Sequence, residues 1–245
     1  MNQLVTVTSS DGITRITLSR SEKLNALNVP LVEELRQAWL DFESGDDRVA
    51  ILHGDGRAFS VGADLNDNPL DLWSAVPGLG VQVSKPIIAA VHGHCIGGAY
   101  VLAMHSDLVV VEEGTKFSYP EVNVGFTGGI AAGLAARIPV KVATEFLLLA
   151  QPMDATRAYE VGMVNRVVPQ GDSVKIAEEW ATMLRDAAPL VVATLKKFMA
   201  DTVPSSPSEL AAVARRELVP IHTSVDRREG EAAFREKRVP RFVGR

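Results

Sequence analysis

The sequence predicts an α/β fold that is followed by a helical C-terminal region. Short apolar runs, typical of buried strands, alternate with stretches of helical periodicity through the first part of the chain. Such alternation favours βαβ units and a largely parallel sheet with right-handed crossovers. From residue 173 onward only helical spacing recurs. We therefore predict an α/β core over residues 1–188 and a helical region over residues 189–245.

The composition describes a chain that can bury a large core and carries no signal for nucleic-acid binding. Of the 245 residues, 47% are hydrophobic, and the formal net charge is −5. That length suits one large domain. The basic residues near the C-terminus are interleaved with glutamates, which is typical of a solvated helix face. We expect no nucleic-acid partner.

The single cysteine and the N-terminal sequence bear on the cellular compartment. Cys95 is the only cysteine, so no disulfide can form within the chain, which is typical of a reducing compartment. The sequence MNQLVTVTSSDG lacks the basic and then apolar segments of a signal peptide. The longest apolar runs reach only about half of a membrane span. We predict a soluble, cytoplasmic protein that does not enter a membrane.

The first half of the chain is expected to alternate strands with helices. The β-rich runs LVTV and ITRITL flank the turn SSDG, which predicts a hairpin. Asn28 can cap a helix and Pro30 suits its first turn, and apolar residues follow at helical spacing. The runs RVAILHG, PIIAAVHG and DLVVV predict buried strands. A further helix is expected between the last two strands, directly after a pair of glycines.

The second half of the chain becomes progressively helical. The stretch ATEFLLLAQPMDATRAYEVGMVNRVV predicts a helix, a turn, a second helix and a strand. Further helices are expected at 173–185, 189–200, 208–219 and about 227–238. The sequence TVPSSP predicts a break before the third of these helices.

Three segments place glycines or an acid at the end of a predicted strand. In GRAFSVGADLND the chain turns through Gly62, which on its own is an ordinary turn residue. Gly97 and Gly98 lie between a strand and a helix. Glycines there either expose N–H groups to a ligand beside the positive end of the helix, or allow close packing. In FSYPEVNVG, Glu121 is either a solvated loop residue or a buried base.

Together these segments carry a resemblance to a known family. KPIIAAVHGHCIGGAYVLAMHSDLVV followed by FSYPEVNVG, with NAL and FSVGADL upstream, resembles the crotonase superfamily of enoyl-CoA hydratases and isomerases. The similarity extends from RSEKLNALN to DRREGEAAFREKR, and four separate segments agree in order and spacing. The resemblance implies a crotonase-like ββα spiral core that binds acyl-CoA, within residues 1–188. It also implies a helical trimerisation region at 189–245 and assembly as a homotrimer or a dimer of trimers.

The resemblance further implies an acyl-CoA thioester substrate and a site built from backbone. In this family two N–H groups hold the thioester oxygen, and they correspond to Ala63 and Gly98. Negative charge develops on that oxygen when an α-proton leaves, and one fixed donor lowers the barrier by roughly 3 kcal/mol. No cofactor is expected beyond the CoA moiety. No metal site is expected either, because no carboxylate or cysteine cluster accompanies His92, His94 and His105.

One catalytic position departs from the family pattern. Family hydratases use two glutamates; the first corresponds to Val101 here and the second to Glu121. Family isomerases, which move a 3-enoyl double bond to the 2-position, rely on a single acid at the Glu121 position. The resemblance therefore favours an enoyl-CoA isomerase in which Glu121 removes a proton from C2 and returns it at C4. If the protein hydrates instead, His94 and Tyr100 are the candidates for the missing acid.

Three other functions stay open from the sequence. The first is an enoyl-CoA hydratase, dehydratase or other crotonase-type lyase. The second is hydrolysis of a C–C bond in a cyclic diketone at the same backbone site. The third is a non-catalytic acyl-CoA-binding protein, which Val101 permits and the intact Glu121 disfavours.

The family's CoA contacts correspond to residues near both ends of the chain. Backbone around Ala26 and Leu65 would meet the adenine end, and Lys23 would contact a phosphate. Phe234 and Lys237 resemble terminal-helix residues that complete the CoA site of a neighbouring subunit. The alternative for each is a plain surface lysine or a packed phenylalanine.

The acyl group is not specified by the resemblance, because a fold does not determine a substrate. The segment 66–84 is the candidate for shaping the acyl pocket. Its apolar residues suggest the lining: Leu70, Leu72, Trp73 and Val76.

Overall fold

The computed structural model describes residues 3–245, which form two β-sheets and a set of flanking helices. In chain order the strands are β1 (Val5–Ser10), β2 (Ile13–Leu18), β3 (Val49–Gly54), β4 (Ile87–Val91), β5 (His94–Ile96), β6 (Leu108–Glu112), β7 (Lys116–Ser118), β8 (Met153–Asp154) and β9 (Arg166–Val168). The α-helices are α1 (Val29–Ser44), α2 (Gly98–Met104), α3 (Glu121–Val124), α4 (Val140–Leu149), α5 (Ala155–Glu160), α6 (Ser173–Asp186), α7 (Pro189–Thr202), α8 (Pro207–Thr223) and α9 (Val225–Glu236). Short 3₁₀ helices cover Ser21–Lys23, Leu72–Ala75 and Ile130–Ala136.

Parallel pairing dominates the larger sheet, in which the strands are ordered β1–β2–β3–β4–β6–β9. Strands β1 and β2 form the expected antiparallel hairpin, and each later pair of neighbours is parallel. The smaller sheet has the order β5–β7–β8, with β5 parallel and β8 antiparallel to β7. The structure confirms the predicted α/β class and the largely parallel sheet.

Helices cover both faces of the larger sheet, which explains why its central strands are apolar throughout. Successive side chains of β3 point to opposite faces. Ile51 packs in one cluster with Ala177 and Ala181 of α6. Leu52 belongs to the larger cluster on the other face, which includes residues of α1 and α2. The core therefore lies in two layers on either side of this sheet.

Helix α1 begins as the sequence predicts. The Leu31 N–H donates a hydrogen bond to Oδ1 of Asn28 (3.2 Å), and Pro30 lies in the first turn. The buried residues recur at helical spacing, and they are Leu31, Val32, Leu35, Ala38, Trp39 and Phe42. One apolar face of α1 therefore covers the sheet.

The C-terminal helices bury less than the core does. Within Pro189–Thr202 no residue of α7 is buried, and its exposed apolar side chains are Leu190, Val191, Leu195, Phe198 and Met199. Helix α8 continues past its expected end at residue 219, through Pro220, to Thr223. Proline removes one N–H, and the helix continues where the neighbouring bonds remain. The division of the chain at residues 188 and 189 stays a prediction. Among residues 3–245, no helix is long and apolar enough to cross a bilayer.

A buried ionic cluster fastens α8 to the core. Glu209 of α8 is 1% exposed, and its Oε1 lies 2.8 Å from Nη2 of Arg137 and 3.4 Å from Nε2 of His105. Its Oε2 accepts a hydrogen bond from the Ser206 N–H (2.6 Å), which closes a capping box. His105 follows the last residue of α2. The ion pair between Arg137 and Glu209 thus ties α8 to the core, and His105, next to the end of α2, lies beside it.

This cluster predicts that folding stability depends on pH. Burial, and then the Arg137 charge, lower the pKa of His105 to about 4, against the opposing effect of Glu209. In the unfolded chain the imidazole binds a proton at about pH 6.5. Protons therefore favour the unfolded chain, so the free energy of unfolding falls as the pH drops from about 6.5 toward about 4.

The melting temperature of the wild type should accordingly fall between about pH 7 and about pH 5. His105→Asn should flatten this dependence, even where the substitution lowers stability at neutral pH. His222→Asn is the matched control, because His222 is an exposed histidine of α8. Scanning calorimetry that gives the same pH dependence for the wild type and His105→Asn would contradict the prediction.

Candidate active site

The smaller sheet continues beyond its named strands and brings the two glycine segments together. An isolated parallel bridge joins Ser60 to β5. The Ser60 N–H donates to the His94 carbonyl (3.1 Å), and the Ile96 N–H donates to the Ser60 carbonyl (3.1 Å). Because the two segments of the chain run in the same direction, residues 62–63 lie beside residues 97–98.

The Ala63 N–H is turned toward the glycine pair. A second parallel bridge joins Leu27 to Ala63, and its two hydrogen bonds are made by the residues before and after Ala63. The Leu27 N–H donates to the Gly62 carbonyl (2.8 Å), and the Asp64 N–H donates to the Leu27 carbonyl (2.8 Å). In such a bridge the N–H of the central residue faces the opposite side. Gly98 is the first residue of α2, so its N–H has no partner within that helix.

Three glycines of this region are favoured by backbone conformation or by the space around them. Gly62 and Gly97 have φ values of +84° and +55°, which favour glycine. A Cβ on Gly62 would lie 2.5 Å from the Ile96 carbonyl oxygen and 3.4 Å from the Gly98 nitrogen. A Cβ on Gly98 would lie 2.3 Å from Cδ2 of Leu72. The two segments are therefore in direct contact, and Leu72 closes the space beside Gly98.

The helix after the glycines buries a valine where family hydratases have a glutamate. Val101 is 3% exposed, and its N–H donates to the Gly97 carbonyl (3.3 Å). The Gly97 N–H donates in turn to the Ser118 carbonyl at the end of β7 (2.9 Å). Glu121 follows as the first residue of α3. The segment that carries Glu121 is thereby tied to the glycine turn, and an apolar side chain occupies the other position.

Glu121 lies in a cavity of about 420 Å³ that is largely apolar. Its Oε2 is buried and has no hydrogen-bond partner among the described residues. The polar neighbours in the lining are Tyr119 and Thr127, and the large apolar ones are Val122, Phe126, Leu147 and Leu148. A carboxylate oxygen that no protein donor occupies is free to accept a proton from a bound substrate.

Neither candidate for the missing acid is among the residues that line this cavity. His94 is exposed on β5. Tyr100 is buried, and its hydroxyl has no partner within residues 3–245. Burial raises the pKa of the Tyr100 phenol well above its ordinary value. The ring of Tyr100 packs edge to face against three others: Phe117, Tyr119 and Phe146.

The expected CoA contacts fall into two groups in the structure. Lys23 and Ala26 lie on one side of the bridge between Leu27 and Ala63, and Leu65 lies just beyond its other side, 71% exposed. These three residues are therefore on neighbouring segments. Phe234 on α9 and Lys237 just after it are exposed, and α9 packs on α8. The contact of Phe234 and Lys237 with a neighbouring subunit's CoA stays a prediction.

A buried asparagine that sequence reasoning did not single out organises this region. Nδ2 of Asn25 donates to the carbonyls of Asp55 and Ala58 (both 2.8 Å). The side-chain Oδ1 of Asn25 accepts a hydrogen bond from the backbone N–H of Arg20 (2.9 Å). The backbone carbonyl of Asn25 accepts one from the Ser60 hydroxyl (2.7 Å). The signal was present in NAL, because a buried polar side chain must find partners. Asn25 thus holds the chain on both sides of the bridge at Ser60.

The comparisons with known proteins extend over the whole chain. A family model described as enoyl-CoA hydratase/isomerase matches residues 8–245. Carnitinyl-CoA dehydratase from Salmonella typhi is 33% identical, with 100% of both chains covered. The crystal structure of enoyl-CoA hydratase from Mycobacterium tuberculosis H37Rv is 32% identical, with 99% of each chain covered and a TM-score of 0.76. That of carnitinyl-CoA hydratase from Mycobacterium avium is 29% identical, covers 100% of each chain and has a TM-score of 0.77.

These matches confirm both the family resemblance and the crotonase-like fold. The chain belongs to the enoyl-CoA hydratase/isomerase family of the crotonase superfamily. Acyl-CoA thioesters are accordingly the class of compound that it processes.

The contact between the glycine segments predicts a specific effect of Gly62→Ala. The new methyl group would meet the Ile96 carbonyl oxygen at 2.5 Å, so the two segments must separate. Separation moves the Ala63 and Gly98 N–H groups apart, and a shared oxygen can no longer contact both. Affinity for butyryl-CoA, measured by titration calorimetry, should fall at least about tenfold.

Gly114→Ala is the matched control for this substitution. Gly114 also has a positive φ, +81°, but a Cβ there would meet open space. It should therefore share the conformational strain and keep the affinity of the wild type. Equal affinities for the two variants, with folding verified by circular dichroism, would show that the contact at Gly62 does not hold the site together.

Proposed function

We propose that this protein is an enoyl-CoA isomerase that moves a 3-enoyl double bond to the 2-position. The observation that carries the proposal is a single carboxylate, Glu121, together with a buried Val101 at the second catalytic position. A proton shift needs one base, which removes a proton at C2 and returns it at C4. Addition of water by two glutamates needs the group that Val101 replaces.

The proposed reaction uses the backbone for charge and Glu121 for the proton. The thioester oxygen accepts hydrogen bonds from the Ala63 and Gly98 N–H groups, which are preorganised by the sheet and the helix start. Breaking the C2–H bond places negative charge on that oxygen, and Glu121 takes the proton. The same proton then goes to C4, so no other reactant is consumed. The CoA moiety is assigned to Lys23, Ala26 and Leu65, whose segments are neighbours.

Hydration or dehydration of an acyl-CoA is the second candidate, and the names of the relatives favour it. The Salmonella relative is named a carnitinyl-CoA dehydratase, and the structural relative from Mycobacterium tuberculosis is named an enoyl-CoA hydratase. In this reaction a group other than residue 101 must hold water or protonate the leaving hydroxyl. Glu121 would then serve in both half-reactions.

We also propose assembly as a homotrimer or a dimer of trimers. The support is the row of exposed apolar side chains along α7, since large exposed apolar patches mark interaction sites. Phe234 and Lys237 of one subunit would then reach the CoA of the next. Light scattering that gives the mass of a single 26.4 kDa chain would contradict this proposal.

The two candidate reactions are separated by one ratio measured on the wild type. A 3-enoyl-CoA and a 2-enoyl-CoA of the same chain length are supplied separately in D₂O, and products are identified by mass spectrometry. Isomerisation should exceed hydration by at least about a hundredfold, the scale of general acid–base effects. The deuterium content at C2 and C4 measures how far the proton on Glu121 exchanges with solvent before it reaches C4. Efficient hydration of the 2-enoyl-CoA would overturn the isomerase assignment and establish the second candidate.

Glu121→Gln is the matched control for this measurement. It keeps the shape of the side chain and removes the base, so turnover of either substrate should fall by at least about a hundredfold. Affinity for butyryl-CoA should stay close to that of the wild type, because the backbone donors are untouched. Unaltered turnover would remove Glu121 from the mechanism.

A further inference from the structure

No positively charged side chain is among the described residues that line the cavity around Glu121: none is a lysine, an arginine or a histidine. The buried Oε2 has no hydrogen-bond partner. Burying a carboxylate without a donor is unfavourable, so a group that can donate to it has a large effect on its charge and its position. The only hydroxyl groups in the described lining belong to Tyr119 and Thr127.

The ring of Tyr119 is held beside Glu121 by its own packing. Tyr119 is 5% exposed and lies directly after β7, separated from Glu121 only by Pro120. Its ring meets that of Tyr100 edge to face, with the centroids 6.4 Å apart. Tyr100 is itself enclosed by Phe117 and Phe146. Turning the Tyr119 ring out of the cavity would break its edge-to-face contact with Tyr100.

The phenol also keeps its proton. Burial, and then the neighbouring Glu121 carboxylate, raise the pKa of Tyr119 well above its ordinary value, while the Thr127 hydroxyl acts in the opposite direction. Tyr119 therefore carries its proton at neutral pH, and a neutral phenol is a hydrogen-bond donor. A donor of this kind favours the ionised form of a carboxylate.

We propose that Tyr119 is the positioning residue of the catalytic base: its hydroxyl donates to the Glu121 carboxylate, holds it toward the substrate and stabilises its charged form. The inference rests on the proposed role of Glu121 as the base. Tyr119 keeps its O–H bond through the cycle, and the transferred proton moves only between the substrate carbons and Glu121. The phenol thus replaces neither Val101 nor a second acid; it orients a lone carboxylate in an apolar cavity.

The test compares two tyrosines of one aromatic cluster. Tyr119→Phe removes the hydroxyl beside Glu121 and keeps the ring and its packing. Tyr100→Phe is the matched control, because it removes a buried hydroxyl that has no partner in the described chain. Both variants are purified as the full-length protein, and kcat and KM are measured across the pH range with the substrate that the wild type turns over.

For Tyr119→Phe we expect kcat to fall about tenfold or more, the scale of a hydrogen bond to a charged group, with KM little changed. Protonation of Glu121 becomes easier without its donor, so the acid limb of the pH–rate profile should move to higher pH. A residue that only fills space would lower the rate equally at every pH. Tyr100→Phe should leave both kcat and the acid limb of the pH–rate profile as they are in the wild type.

A second readout does not depend on turnover. The carboxyl resonance of Glu121, ¹³C-labelled and assigned by its loss in Glu121→Gln, is titrated in the wild type and in both tyrosine variants. The pH at the midpoint of this titration should rise in Tyr119→Phe and in no other variant. Coincident midpoints in the wild type and Tyr119→Phe, or an equal rise in Tyr100→Phe, would overturn the proposal. A wild type that turns over no enoyl-CoA would instead refute the proposed function, and the titration would still decide the contact.

Discussion

The parallel pairing of the backbone at Ser60 and Ala63 is the constraint on which the site depends. One bridge places the chain after Ser60 alongside the chain after Cys95, and the other turns the Ala63 N–H away from Leu27. Both arrangements are made by backbone hydrogen bonds alone, without any side chain of the proposed active site. The Gly97 N–H then joins the end of β7, so the segment that carries Glu121 is held by the same ladder. The proposed oxygen donors and the proposed base are therefore positioned by main-chain hydrogen bonds of the same small sheet.

The proposed chemistry follows from the difference between residues 101 and 121, the two positions at which family hydratases carry glutamates. At residue 101 the helix packs a valine into the core, which removes any need to solvate a second charge. At residue 121 the chain leaves a carboxylate oxygen buried and unpaired in the described structure. Two carboxylates in one apolar space would raise each other's pKa values. A single carboxylate avoids this mutual repulsion.

Local signals made much of the fold predictable, and long-range contacts account for what the sequence did not reveal. The hairpin, the central strands and the cap at Asn28 depend on residues close in sequence, and each was predicted. The network of Asn25 and the cluster of His105, Arg137 and Glu209 join residues far apart, which periodicity does not register. Leu70, which is predicted to line the acyl pocket, is 76% exposed, whereas Leu72 in the following 3₁₀ helix lies beside Gly98; the lining of that pocket stays a prediction.

The proposed stabilisation of charge by peptide N–H groups has a consequence for how the sequence of such a protein can change during evolution. A substitution at residue 63 changes the side chain and leaves the donor in place, so the amino acid found there carries little information about activity. An insertion of one residue between 60 and 63 would shift the pairing by one and turn a different N–H toward Gly98. Selection on this site therefore acts on the length and curvature of the main chain more than on residue identity. On the proposed mechanism, a relative with two thirds of its positions changed needs only the same path of the main chain to keep these two donors.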